Sequence, residues 1–238
     1  MTGMLASVRD REEARIMTEC KVDILDLKDP DSGALGALAT GLVNEIVNDV
    51  GDRVPISATV GDVPCRADIL YPRINAMAGT GVDIIKIGVF GDVSASAVLQ
   101  MLRDFSRRHI RLVLVFFAED MPVHVDFDTL AETGITGVML DTREKATGPL
   151  RVKIPDRALS DFIFKGKKAG LLCGLAGSLG IDDIPPLLQL QPDYLGFRGA
   201  LCRDNRRGND IDINAVRRVR RLISERRVAN FNEAAITV

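Results

Sequence analysis

The stretch Val22 to Gly36, VDILDLKDPDSGALG, sets a carboxylate and an amine, Asp26 and Lys28, at the end of an apolar run. Side chains alternate along a strand, so Asp26 and Lys28 share a face with Val22 and Ile24. A second lysine, Lys86, lies inside the apolar run VDIIKIGVF, on the face of Ile84 and Gly88, where Gly88 would leave room beside the amine. Buried lysine is rare unless paired. Asp141 ends the run GVMLDT, and Lys145 follows within reach of it. Amines so placed suit nucleophilic attack on a carbonyl, for which the attacking lysine must be neutral. An unperturbed lysine near pKa 10.4 is only about 0.04% neutral at pH 7, and lowering it by ~3 units costs roughly 4 kcal/mol of ion stabilisation. Burial and a second ammonium both act in that direction. Asp26 acts the other way, so its role belongs to proton transfer or orientation. A single Lys or Asp at a strand end is ordinarily a solvated loop residue or an ion-pair partner; it is the convergence of several that points to a site.

Two glycine-bearing turns suggest where an anion would bind. GLAGSLG runs from Gly174 to Gly180, and FRGAL from Phe197 to Leu201. Glycines let backbone N–H groups approach phosphate oxygens, so Gly174, Gly177, Ser178 and Gly199 are candidate phosphate ligands. Arg198 would add a charge-assisted fork. The plainer alternative is that Gly174 and Gly177 only turn the chain tightly.

These groups need a scaffold, and the chain supplies an alternation. Strands are expected at Met4–Val8, through Val22–Lys28, and at Pro55–Val60, Val82–Phe90, RLVLVFFA, Gly137–Thr142, Leu171–Gly177 and Tyr194–Gly199. Each is followed by a loop and a run with helical spacing. The helix after the second strand is expected to occupy Ala34 through Val50, and the one from Cys65 to Gly79 to be interrupted near Pro72. Eight such units of about 30 residues match an α/β fold of the (β/α)8 TIM-barrel type, in which reactive groups gather at the strands' carboxyl ends. No composition shift or linker divides the chain, so it reads as one domain, 1–227, with 228–238 as a C-terminal tail. An open doubly wound sheet is the alternative, disfavoured by the count of strands and by the absence of a glycine-rich nucleotide fingerprint.

A formal net charge of −2 over 238 residues argues against a general nucleic-acid or anionic-membrane binder. No apolar run approaches a bilayer span and the first residues lack signal-peptide sections, so a cytoplasmic location is expected. Cys20, Cys65, Cys173 and Cys202 form no CxxC pair and read as packing residues. With only His109 and His124, no metal site is expected. His109 reads as a solvated helix end and His124 as a loop residue. The basic helix RRVRRLISERR reads as a solvated face, and a homo-oligomer is expected as the assembly.

Taken together, DLKDPDSGALGA, ATVGD, IKIGVFG, MLDT with Lys145 beyond it, CGLAGSL and GFRGALC resemble the (5-formylfuran-3-yl)methyl phosphate synthases of methanofuran biosynthesis. The resemblance runs from Met4 to about Arg226. It implies a TIM-barrel lyase that condenses two molecules of glyceraldehyde 3-phosphate into 4-(hydroxymethyl)-2-furancarboxaldehyde phosphate, releasing phosphate and water, with no cofactor. It further implies Lys28 as the Schiff-base lysine, Lys86 in the general acid/base position, and Asp26, Asp141 and Lys145 as supporting residues. Bacterial members are associated with one-carbon metabolism. The chain departs from that pattern in its extension after Arg227. Competing readings are another class I aldolase or sugar-phosphate isomerase on the same barrel, and a non-catalytic sensor of phosphate ligands.

Overall fold

The computed structural model describes residues 1–121, 125–144 and 147–235, with side chains through residue 224. Eight parallel strands close into a barrel in chain order: β1 (Gly3–Val8), β2 (Ile24–Leu27), β3 (Ile56–Thr59), β4 (Ile84–Gly88), β5 (Arg111–Phe117), β6 (Gly137–Asp141), β7 (Leu172–Leu175) and β8 (Tyr194–Phe197). Strand β8 pairs with β1, with Leu5 opposite Gly196, which shuts the ring. The helices are α1 (Arg11–Glu19), α2 (Thr40–Val50), α3 (Ala67–Ala78), α4 (Ser96–Arg107), α5 (Phe127–Ala131), α6 (Leu150–Lys153), α7 (Asp156–Lys168), α8 (Ile184–Gln189) and α9 (Ile213–Ala235). The (β/α)8 architecture expected from the alternation is the one observed. No helix among the described residues is long and apolar enough to cross a membrane.

Strands covered on both faces read as continuous apolar runs. In β5 every residue after Arg111 is buried. The helices each turn one stripe inward: in α4, Val98, Met101, Leu102 and Phe105 are the buried residues, at helical spacing. The amino ends of the strands are tied by three aspartates. Asp23, Asp83 and Asp193 accept from the backbone N–H of Met4, Ile56 and Cys173 at 2.7, 2.8 and 2.7 Å. Each stands just before one strand and bonds the start of the neighbouring strand.

Two local expectations are corrected. Helix α2 begins at Thr40 rather than near Ala34, because residues 29–36 are folded into a pinned loop described below. Helix α3 runs unbroken through Pro72. Proline removes one backbone donor, and here it sits on the exposed face of the helix, where water can serve the carbonyl one turn back.

The barrel's interior is divided. Leu5, Val113, Val115, Phe117, Met139 and Tyr194 form an apolar cluster, mostly from β5 to β8. Opposite them, Ser7, Asp26, Ser57, Thr59 and Lys86 are buried polar groups from β1 to β4. Ionisable groups therefore face a hydrocarbon wall, which strengthens every charge interaction between them.

Candidate active site

Asp26 is fully buried in β2, and Lys86 is 1% exposed in β4. Lys86 Nζ donates to both Asp26 oxygens at 2.9 Å. Ser7 and Ser57 hydroxyls donate to the same carboxylate at 3.0 and 2.7 Å, from the strands on either side. A carboxylate has about four acceptor positions, and these four bonds fill them. Burial pushes the Asp26 carboxyl up, but the ammonium groups of Lys86 and Lys28 and the Ser57 hydroxyl outweigh it and hold the group below its ordinary value. Asp26 is thus an anion that fixes Lys86 rather than one open to substrate.

Lys28 follows β2, its backbone N–H donating to Val8 at 3.0 Å, and is 7% exposed. It lines a cavity of about 580 Å³ at the strands' carboxyl ends, together with Ser7, Asp26, Lys86 and Asp141. Strand parity set Asp26 and Lys28 on a shared face, and the structure brings both to one cavity with Lys86. Asp141 closes β6 and takes the Thr142 N–H at 2.7 Å. Glu119 accepts from the backbone N–H of Arg143 and Glu144 at 2.8 and 2.9 Å and pairs with Lys153. Burial raises the Glu119 carboxyl, yet the Lys153 ammonium and the backbone donors bring it down to about 2. Lys145, and likewise His124, lie outside the described residues.

The glycine expectations divide. Gly177 and Ser178 line the cavity with φ of 109° and 50°, and a Cβ on Gly177 would stand 2.7 Å from Thr142. Gly199 lines it from the other loop. Among the described residues, the N–H groups of Gly177, Ser178, Leu179, Gly199 and Ala200 make no backbone hydrogen bond, and all five residues line the same cavity from the two loops. Gly174 is a correction: it lies within β7, and a Cβ there would meet the Tyr194 ring at 2.2 Å, so its lack of a side chain admits that ring. Gly88 likewise leaves no space beside Lys86. The Phe90 ring and Leu35 stand 2.4 and 3.0 Å from where its Cβ would be.

Arg198 is the second correction. It lines the cavity, but Nη1 and Nη2 meet the two Glu13 oxygens, the latter at 2.9 Å. The remaining N–H groups go to the carbonyls of Arg207 at 2.8 Å, Ser7 at 3.2 Å and Asn209 at 3.5 Å. All five donors are engaged within the protein, so this guanidinium is a fastening between β1, β8 and α1 rather than an anion fork. Glu13 is what the sequence reading missed, since nothing local marks a helix glutamate as the partner of an arginine so remote in the chain.

Arg207 was also missed. It lines the cavity and donates through Nη2 to the carbonyls of Pro30 and Gly33, the latter at 2.8 Å. Burial lowers this guanidinium from its ordinary value, while Asp141, Asp31 and Asp62 act to raise it. The loop it touches is held from the far side by Asp62, which accepts from the N–H of Ala34 and Leu35, both at 2.7 Å. An antiparallel bridge between Asp29 and Gly36 completes the loop that follows Lys28.

Comparison with known proteins adds an independent view. A family model described as 4-HFC-P synthase matches residues 4–220. A Methylorubrum extorquens protein described as a candidate (5-formylfuran-3-yl)methyl phosphate synthase is 41% identical over 209 residues, covering 88% of this chain and 86% of its own length. The Methanopyrus kandleri (5-formylfuran-3-yl)methyl phosphate synthase is 31% identical over 219 residues, covering 86% and 92%. Among solved structures, phosphoribosyl anthranilate isomerase from Thermus thermophilus matches with a TM-score of 0.65 at 13% identity, covering 94% of this chain and 99% of that one. The 3-keto-L-gulonate-6-phosphate decarboxylase from Vibrio cholerae gives 0.62 at 12% identity, covering 94% and 98%. These structural likenesses speak to the barrel alone.

Proposed function

The chain belongs to the 4-HFC-P synthase family, and from that premise we propose that it condenses two molecules of glyceraldehyde 3-phosphate into (5-formylfuran-3-yl)methyl phosphate through a Schiff base on Lys28. The observation that carries this reading is the division of labour between two lysines at one cavity. Lys86 is fixed by Asp26, whereas Lys28 stands at the strand's end and is the more exposed of the two.

In this reading the Lys28 amine adds to the aldehyde carbon of one triose, and loss of water leaves an iminium. Lys86, held against Asp26, supplies the proton to the departing oxygen. The iminium acidifies the neighbouring carbon, which supports both addition to a second aldehyde and expulsion of a β-phosphate. Hydrolysis returns the Lys28 amine, and closure of the furan releases further water. Asp141, buried at the end of β6, is the carboxylate placed to move protons on the opposite side of the cavity. Asp26 orients Lys86 and is not itself the base, because its acceptor positions are filled. The N–H groups of the β7 and β8 loops form the first phosphate cradle.

The test is incubation of the protein with glyceraldehyde 3-phosphate, following furan absorbance and phosphate release, beside Lys28→Ala and a borohydride trap analysed by mass. Furan, phosphate and label on Lys28 together are expected. Label on Lys28 without furan would make the protein a different Schiff-base aldolase, and neither signal would leave a phosphate-ligand sensor as the better account.

A further inference from the structure

Two arginines line the cavity and are used in opposite ways. Every N–H of Arg198 has an acceptor within the protein. Arg207 is bonded through Nη2 alone, and among the described residues its Nε and Nη1 have no acceptor and it forms no ion pair. Two residues earlier, Asn205 also lines the cavity, and its side-chain amide makes no hydrogen bond among the described residues. Asp204 and Asn205 are both left-handed, with φ of 57° and 56°. Consecutive non-glycine residues in that region are costly, and such strain collects at ligand sites. The segment is held in this shape by Arg198, which bonds the carbonyls of Arg207 and Asn209.

A condensation of two phosphorylated trioses has two phosphate groups to hold, and the backbone cradle of the β7 and β8 loops accounts for one. We propose that Arg207 and Asn205 form a second phosphate subsite, which takes the phosphate monoester of one triose while the cradle takes the other's. The proposal rests on the triose reading above. Arg207 Nη1 and the Asn205 amide supply the donors, and the carbonyls of Pro30 and Gly33 hold the guanidinium in place from the β2 side. Because Arg207 also secures the loop after Lys28, filling the subsite would stiffen the segment that carries the nucleophile.

The test uses the full chain titrated calorimetrically with glycerol 3-phosphate, an unreactive triose-phosphate analogue, and separately with orthophosphate. The wild type is expected to bind two equivalents of glycerol 3-phosphate, Arg207→Gln one, and Arg207→Lys two with the second weakened. Asn205→Ala is expected to weaken only the second, and it tests the subsite should the Arg207 variants fold poorly. In turnover, Arg207→Gln is expected to raise the half-saturating glyceraldehyde 3-phosphate about tenfold or more, the effect of losing a charge-assisted hydrogen bond. Its borohydride adduct on Lys28 is expected to persist at saturation. One equivalent in the wild type, or two retained in Arg207→Gln, would overturn the subsite. Loss of both equivalents together with the adduct would also overturn it, showing Arg207 to be a fastening for the loop. Occupancy by orthophosphate but not by glycerol 3-phosphate would make it a site for released phosphate and defeat the assignment to substrate. Since binding needs no turnover, a wild type that makes no furan would sink the reaction while the titration still decides the subsite.

Discussion

Lys86 Nζ stands 2.9 Å from each oxygen of Asp26, with both groups almost wholly removed from water. Neither charge is tolerable there without the other. Lys86→Met is expected to lower stability by about 3–5 kcal/mol, because it leaves a buried carboxylate without its cation. The double variant Asp26→Leu/Lys86→Met should recover most of that loss while remaining inactive. Urea unfolding of the four proteins in the cycle measures this, and additive single effects would show that the two residues are not coupled.

The same pair gives an acid dependence with a definite sign. Asp26 is held below its ordinary value, as is Glu119 at about 2. A depressed carboxyl contributes stability that is complete above its unfolded value, about 3.9 for Asp and 4.3 for Glu, and fades as pH falls toward the folded value. The urea midpoint is therefore expected to be flat near neutrality and to decline below about pH 4. Glu119→Gln should make that decline shallower. An unchanged slope would assign the acid loss to other carboxylates.

Gly33 has φ of 107°, and a Cβ on it would lie 2.2 Å from Asp62 Oδ2. Gly33→Ala is therefore expected to dislodge the carboxylate that holds the Ala34 and Leu35 N–H groups. Because the affected segment is a loop, the stability loss should stay within about 1–3 kcal/mol. Activity should fall further, since the segment follows Lys28. Hydrogen exchange at Ala34 and Leu35 beside kcat/KM would decide it: unchanged protection with full activity would refute the role given to Asp62.

Glu13 lies outside the cavity yet fixes Arg198, 185 residues away. Glu13→Gln is expected to cost about 1–3 kcal/mol in unfolding free energy by weakening a buried charge-assisted bond. Borohydride labelling of Lys28 at saturating substrate should survive it. If labelling is lost while stability holds, Glu13 belongs to the chemistry and not to the frame.

The barrel was readable because its signals are local. Apolar runs such as RLVLVFF, helices such as α4 with one apolar stripe, and the turns between them each declare themselves within a few residues. Strand parity alone put Asp26 and Lys28 on one face of their strand and Lys86 on the face of Ile84 and Gly88, since alternation depends only on backbone geometry. The extent of α2 was not readable: Ala34 to Ala39 has apolar spacing but is drawn into a loop by Asp62 and Gly36.

The chain alone determined which side chains share a strand face and which elements carry them. Tertiary structure alone decided what those side chains meet. The space at Gly88 and Gly174 went to the rings of Phe90 and Tyr194, Arg198 went to Glu13, and Arg207 is the lining arginine that keeps Nε and Nη1 without an acceptor among the described residues. Facing is set by torsion angles within a strand, whereas partnership depends on which distant segments closure of the ring brings within hydrogen-bond reach.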